Sequence, residues 1–108
     1  MNANKHDQLL ERIKAVPSLA SPHAEVFLFG SRARGDSNAH SDWDLLILLN
    51  LATLPFDVEV KLMNALYEIE VETGEVISPL IYTKKDWNER HTLTALFENI
   101  KNEGVRIT

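Results

Sequence analysis

Two aspartates, Asp42 and Asp44, stand one residue apart at the mouth of the aliphatic run Leu45–Leu49. Side chains alternate across a strand, so on an extended backbone both carboxylates project to one side and Trp43 to the other. Two anions in one small volume repel and raise each other's proton affinity unless a cation or basic groups lie between them. Hard divalent ions such as Mg2+ take oxygen ligands and retain phosphates and waters as the rest of their shell. Asp-x-Asp at a strand mouth is therefore a donor set suited to metal-assisted phosphate chemistry.

The residues just upstream supply complementary parts. Gly30 lets the backbone turn sharply and lets another group approach closely, and Ser31 offers a hydroxyl and an N–H beside it. A short helical turn over residues 31–35 would aim N–H groups at phosphate oxygens, and Arg32 and Arg34 would add charge-assisted contacts. One loop to grip a phosphate tail and two carboxylates to hold the ion bound to that tail make a coherent nucleotide site.

The stretch GSRARGDSNAHSDWDLL resembles the signature of the minimal nucleotidyltransferases of the DNA polymerase beta superfamily, a GS loop followed by an Asp-x-Asp strand. The resemblance covers nearly the whole chain in length and element order, and is most specific from Gly30 to Leu45. It implies transfer of a nucleoside monophosphate, AMP from ATP in the first instance or from another nucleoside triphosphate, to a hydroxyl with the help of two Mg2+ ions. It makes Asp42 and Asp44 the catalytic, metal-binding pair and Ser31 the loop residue that contacts the triphosphate, with Gly30, Arg32 and Arg34 completing the nucleotide-binding set. Small stand-alone members serve as antitoxins beside a HEPN-type ribonuclease toxin with an Arg-x4-His motif, which some of them silence by adding AMP to it, so such a toxin is the implied partner. One departure stands out. Active members carry a third carboxylate on a later strand, and here VISPLIY puts Ser78 and Pro79 about where that acid belongs, with Glu75 the nearest acid. Serine is a poor base, and general-base assistance is typically worth about 100- to 10,000-fold. The alternative is therefore a catalytically weak fold that binds nucleotide or masks a partner by direct contact.

Other readings of the same residues are weaker. Asp42 and Asp44 on an open hairpin would simply face solvent, and Arg32 and Arg34 would pair with Asp36, Asp42 or Asp44. Gly30, Gly35 and Ser37 mimic a Walker A loop, but Asp36 occupies the lysine position. Arg34-Gly35-Asp36 resembles an adhesion tripeptide in a chain with no other extracellular feature. His40 adjoins the aspartates, whereas His6, His23 and His91 have no metal-ligand spacing. Trp43 and Trp87 read as core or interface anchors. Glu68, Glu70, Glu72 and Glu75 read as a solvated helix end dense enough to suggest contact with a basic partner.

The elements that must position this site follow from periodicity. Leu9, Leu10, Ile13 and Val16 predict a helix over residues 5–16, stopped by Pro17, with a loop around Pro22. Residues 25–29 read as a strand ended by Gly30, and residues 44–49, apolar without alternation, as a strand covered on both faces. Val58, Leu62, Ala65, Leu66 and Ile69 predict a helix over residues 57–73 between Pro55 and Gly74. Residues 76–82 read as a strand placed at an edge by Pro79. Thr83 and Asp86 form a capping box for a last helix reaching about Glu103, with Gly104 as its cap and residues 105–108 as a short final strand. The order αββαβα(β) predicts an α+β nucleotidyltransferase fold, helices packed on a small mixed sheet, with residues 1–108 as a single domain.

Composition agrees with that scale. The chain has 108 residues, 44% hydrophobic and 25% charged, enough for one core, folding alone or as a small homo-oligomer. Without cysteine, thiolate catalysis, thiolate metal sites and disulfides are excluded, which suits the cytoplasm. No stretch approaches the roughly 18 apolar residues of a membrane span. A formal charge of −5 opposes extended contact with nucleic acid, so phosphate should be handled at one small site.

Overall fold

The computed structural model describes residues 5–16, 24–38 and 40–107. The expected Pro17 stop, the Pro22 loop, His23 and Thr108 lie outside the described residues. The elements are α1 (Lys5–Lys14), β1 (Ala24–Phe29), α2 (Ser31–Arg34), β2 (Trp43–Leu49), α3 (Phe56–Thr73), β3 (Ile77–Thr83), α4 (Lys84–Arg90), α5 (Ala95–Glu103) and β4 (Val105–Arg106). They form a four-stranded mixed sheet in the order β3-β2-β1-β4, with β2 and β3 parallel and the other pairs antiparallel. This is the α+β arrangement that the periodicity predicts.

Central position and apolar sequence agree in β2, whose side chains from Leu45 to Leu49 are all buried. Trp43, Leu45, Ile47 and Leu49 face Leu9 and Ile13 of α1 and Leu62, Leu66 and Ile69 of α3. Leu46 and Leu48 face Trp87 of α4 and Ile100 of α5. Helices therefore cover both faces, which is why the strand needs no polar alternation. Pro79 lies in β3, at the sheet edge as expected, where its missing N–H costs no inner ladder bond. The α3–β3 junction is stapled by the Ile77 N–H, which donates to Glu70 Oε1 at 2.7 Å.

The expected single last helix is two helices. Thr83 caps α4 by accepting from the Asp86 N–H at 3.0 Å, but the helix ends at Arg90. Thr94 then opens α5, its hydroxyl accepting from the Phe97 N–H at 3.1 Å and donating to the His91 carbonyl at 2.7 Å. A threonine that can satisfy free backbone groups competes with helix continuation, and here it wins. The break lets Trp87 and Phe97 converge, ring centroids 5.4 Å apart, over the second face of the sheet. Gly104 follows α5 with extended rather than left-handed backbone; a Cβ there would strike the Ile100 carbonyl.

Ile47→Ala should cost about 2–5 kcal/mol, because the removed atoms leave a cavity in a strand packed on both sides. Leu93→Ala, on a fully solvated side chain, should stay within about 0.5 kcal/mol of the parent. Urea unfolding monitored by tryptophan fluorescence checks both.

Candidate active site

Register brings three segments to one end of the sheet. Asp44 is paired with Phe29 on β1 and with Ser78 on β3, so its carboxylate emerges between the Gly30 turn and the start of β3. Gly30 has φ 75°, which other residues rarely adopt, and a Cβ on it would collide with Asp44 Oδ2. The glycine therefore makes room for the aspartate. Immediately beyond, Ser31 opens the short helix α2, whose turn is closed by Ala33 and Arg34 N–H groups donating to the Gly30 carbonyl at 3.1 and 3.0 Å.

Asp42 lies one residue before β2 and is exposed; its Oδ2 accepts a hydrogen bond from the Ser78 hydroxyl at 2.9 Å. Asp44 is partly buried, and its pKa is raised from 3.8, first by burial and then by the charge of Asp42, while Arg34 opposes the shift. Burial and the neighbouring like charge therefore both favour the neutral form of Asp44 in this acidic notch.

The two arginines part company. The Arg32 side chain is only 4% exposed, lies 4.5 Å from the centroid of the Trp43 ring, donates to the Ser41 carbonyl at 2.9 Å and faces Glu75 Oε2 at 3.5 Å. Trp43 Nε1 donates to the same Glu75 oxygen at 3.3 Å. Arg32, expected to contact nucleotide or pair with a nearby aspartate, lies on the Trp43 side, where these contacts tie down the loop entering β2. Glu75, the nearest acid to β3 in sequence, is engaged with Arg32 and Trp43. Arg34 is exposed, pairs with Asp36 and Glu103, each at 3.2 Å, and is near enough for Asp44 to feel its charge. His40 is exposed on the loop, its N–H held by Asn38 Oδ1 at 2.8 Å. His91 stacks on Trp87, ring centroids 5.4 Å apart, away from the notch.

The position opposite Asp44 on β3 belongs to Ser78. Among the described residues no group of three or more His, Cys, Asp or Glu could hold a metal. The donor set still fits a hard divalent cation: two carboxylates close enough for the charge of Asp42 to raise the proton affinity of Asp44, beside a glycine turn that leaves room for the Asp44 side chain.

Known proteins fall in line with this geometry. The family model described as polymerase beta, nucleotidyltransferase, matches residues 11–107. A Methanocaldococcus jannaschii protein, provisionally named a protein adenylyltransferase, is 34% identical over 83 residues, 76% of each chain. A chain from a crystal structure of a toxin–antitoxin with AMP-PNP superimposes on the whole chain and 73% of its own length, with TM-score 0.57 and 19% identity. A mutant of the toxin–antitoxin MntA–HpeT gives TM-score 0.54 and 16% identity over the same shares. The fold is that of the small nucleotidyltransferases. The chain belongs to the polymerase beta nucleotidyltransferase family, whose members generally use a nucleoside triphosphate and a divalent metal.

Because the Asp44 pKa is raised, its folded form holds its proton to higher pH than the unfolded chain does. The resulting destabilisation is absent below the ordinary value of 3.8, grows as pH rises toward the folded pKa and is complete above it. Asp44→Asn should therefore melt higher than the parent at pH 7 without metal, and the advantage should vanish at pH 3. Added Mg2+ should raise the parent's melting temperature and leave the variant's unchanged.

Proposed function

We propose that the chain, as one nucleotidyltransferase domain over residues 1–108, transfers AMP from ATP to a hydroxyl of a partner protein in the cytoplasm, and that the partner is a HEPN-type ribonuclease toxin which it neutralises. The observation that carries this reading is the notch itself, a partly buried Asp44 beside Asp42, fitted against Gly30, where any side chain would collide with the Asp44 carboxylate. The adenylyltransferase relative and the toxin–antitoxin structures support the acceptor and partner.

In this reading Asp42 and Asp44 hold Mg2+, which when bound withdraws negative charge from the phosphates. Ser31 and the adjoining turn orient the triphosphate from the Gly30 side. Arg34, exposed at the mouth, balances charge there, while Arg32 keeps Ser41 and thus Asp42 in place from below. The acceptor oxygen bonds to the α-phosphorus, the bond from that phosphorus to the bridging oxygen breaks, pyrophosphate leaves and the hydroxyl proton is released. Its immediate base is an aspartate of the notch or water, because Ser78 occupies the β3 position.

Ser78 also favours a second reading. Its hydroxyl is bonded to Asp42 and Glu75 is engaged elsewhere, so the same scaffold would bind nucleotide or mask the toxin with little turnover.

Incubation with α-labelled ATP, Mg2+ and a HEPN-type toxin protein should label that protein. Asp44→Asn should abolish the label, and Ser78→Asp, which restores an acid facing Asp44, should raise its rate by about 100-fold or more. Tight association without label would favour the masking module, and a label indifferent to Asp44→Asn would refute the assigned site.

A further inference from the structure

We infer that the solvent face of α3 is a docking surface for a basic amphipathic helix of another protein. The helix carries two apolar faces. Leu62, Leu66 and Ile69 enter the core, while Phe56, Val60, Met63, Tyr67 and Val71 remain 80%, 36%, 43%, 63% and 66% exposed. Their spacing of 4, 3, 4 and 4 residues keeps them on a single stripe, running about 22 Å from first to last at 1.5 Å per residue. Isolated apolar side chains on a surface are ordinary, but a contiguous ridge on one helix is the seam by which helices pack on one another.

Charge selects the occupant. On a wheel of 3.6 residues per turn, Glu59 borders the stripe on one side and Asp57 and Glu68 on the other, with Lys61 the single cation near either edge. All three acids are exposed, and among the described residues none is in an ion pair. Two copies of this chain packed along the stripe would bring six acids and two lysines to its edges, a net repulsion. An anionic lipid surface would be repelled in the same way. A helix with an apolar seam flanked by lysine or arginine meets both requirements. Glu70 and Glu72, acids of the same helix, are held internally by the Ile77 N–H and Arg12, so the contact does not depend on the whole acidic segment.

The surface lies on the α1–α3 side of the sheet, whereas the notch shares the side of Leu46 and Leu48, so this inference does not rest on nucleotide transfer. Its test uses the whole chain and a fluorescent peptide of about three heptads, leucine at a and d and lysine at e and g, which repels itself and stays monomeric. A matched peptide with glutamate at e and g is the control. The lysine peptide should bind, the glutamate peptide should not, and Tyr67→Glu and Met63→Glu should each weaken binding at least tenfold while circular dichroism and melting stay near the parent's. The added acid makes indiscriminate attraction of a basic peptide stronger, so loss of binding reports the apolar seam. Equal binding by the variants, or none by the parent, would overturn the inference. So would concentration-dependent dimerisation of the chain in sedimentation that Tyr67→Glu abolishes, or parent binding to phosphatidylglycerol vesicles that Tyr67→Glu removes. If docking fails while the labelling experiment succeeds, the notch keeps its function and only this surface is lost.

Discussion

Much of the site depends on a carboxylate kept where electrostatics disfavours it. Asp44 is partly withdrawn from water and feels the charge of Asp42, and both effects push it toward its neutral form. It cannot relax away, because the strand that carries it is clamped between two helical layers and paired on both edges. The core holds the strand and the strand holds the charge. Such a balance is common where a bound cation completes the structure, since the ion removes the penalty that the empty geometry retains.

Fixing Asp44 also dictates what may surround it. The space beside it excludes any side chain at position 30, and the chain must leave that glycine at positive φ to enter α2. The loop returning to β2 is then held from the opposite side, where Arg32 lies over Trp43 and ties the Ser41 carbonyl to Glu75. Opposite charges and an aromatic ring are satisfied below the strand, while like charges are exposed above it. This segregation explains why two arginines so close in sequence do different work. Arg34 faces solvent with Asp36 and Glu103, and Arg32 is a structural tie.

Most of this was legible in the sequence where the signal is local. The buried strand, the amphipathic α1 and α3, the edge placement of Pro79 and the Thr83 cap all follow from residue types a few positions apart. The Asp-x-Asp spacing foretold a shared face, and Ser78 falls opposite Asp44 as the missing acid implied. What could not be read depends on distant pairings. Nothing near Arg32 announces Glu75, which lies beyond an intervening helix in the chain. The break at Thr94 was hidden because Trp87, His91, Leu96, Phe97 and Ile100 fit one helical face; only the hydroxyl bonds at His91 and Phe97 show that two shorter helices satisfy that face better. The exposed ridge of α3 is not apparent from the sequence, because the periodicity of its buried residues already accounts for the helix.

The two surfaces impose a geometry on any protein that uses both. The α3 ridge and the notch lie on opposite sides of the sheet, so a helix seated on α3 cannot itself present a hydroxyl to Asp42 and Asp44. The acceptor must come from a second segment that passes around the sheet. On the β3 side that path crosses an edge strand, where Pro79 removes a backbone donor and weakens the edge as a template for strand addition. Passage there would rely on side chains rather than on ladder hydrogen bonds. Anchoring and modification are therefore separable: a partner with the basic seam but no reaching segment would be held without being changed, and one with the segment alone would depend on the notch for its affinity.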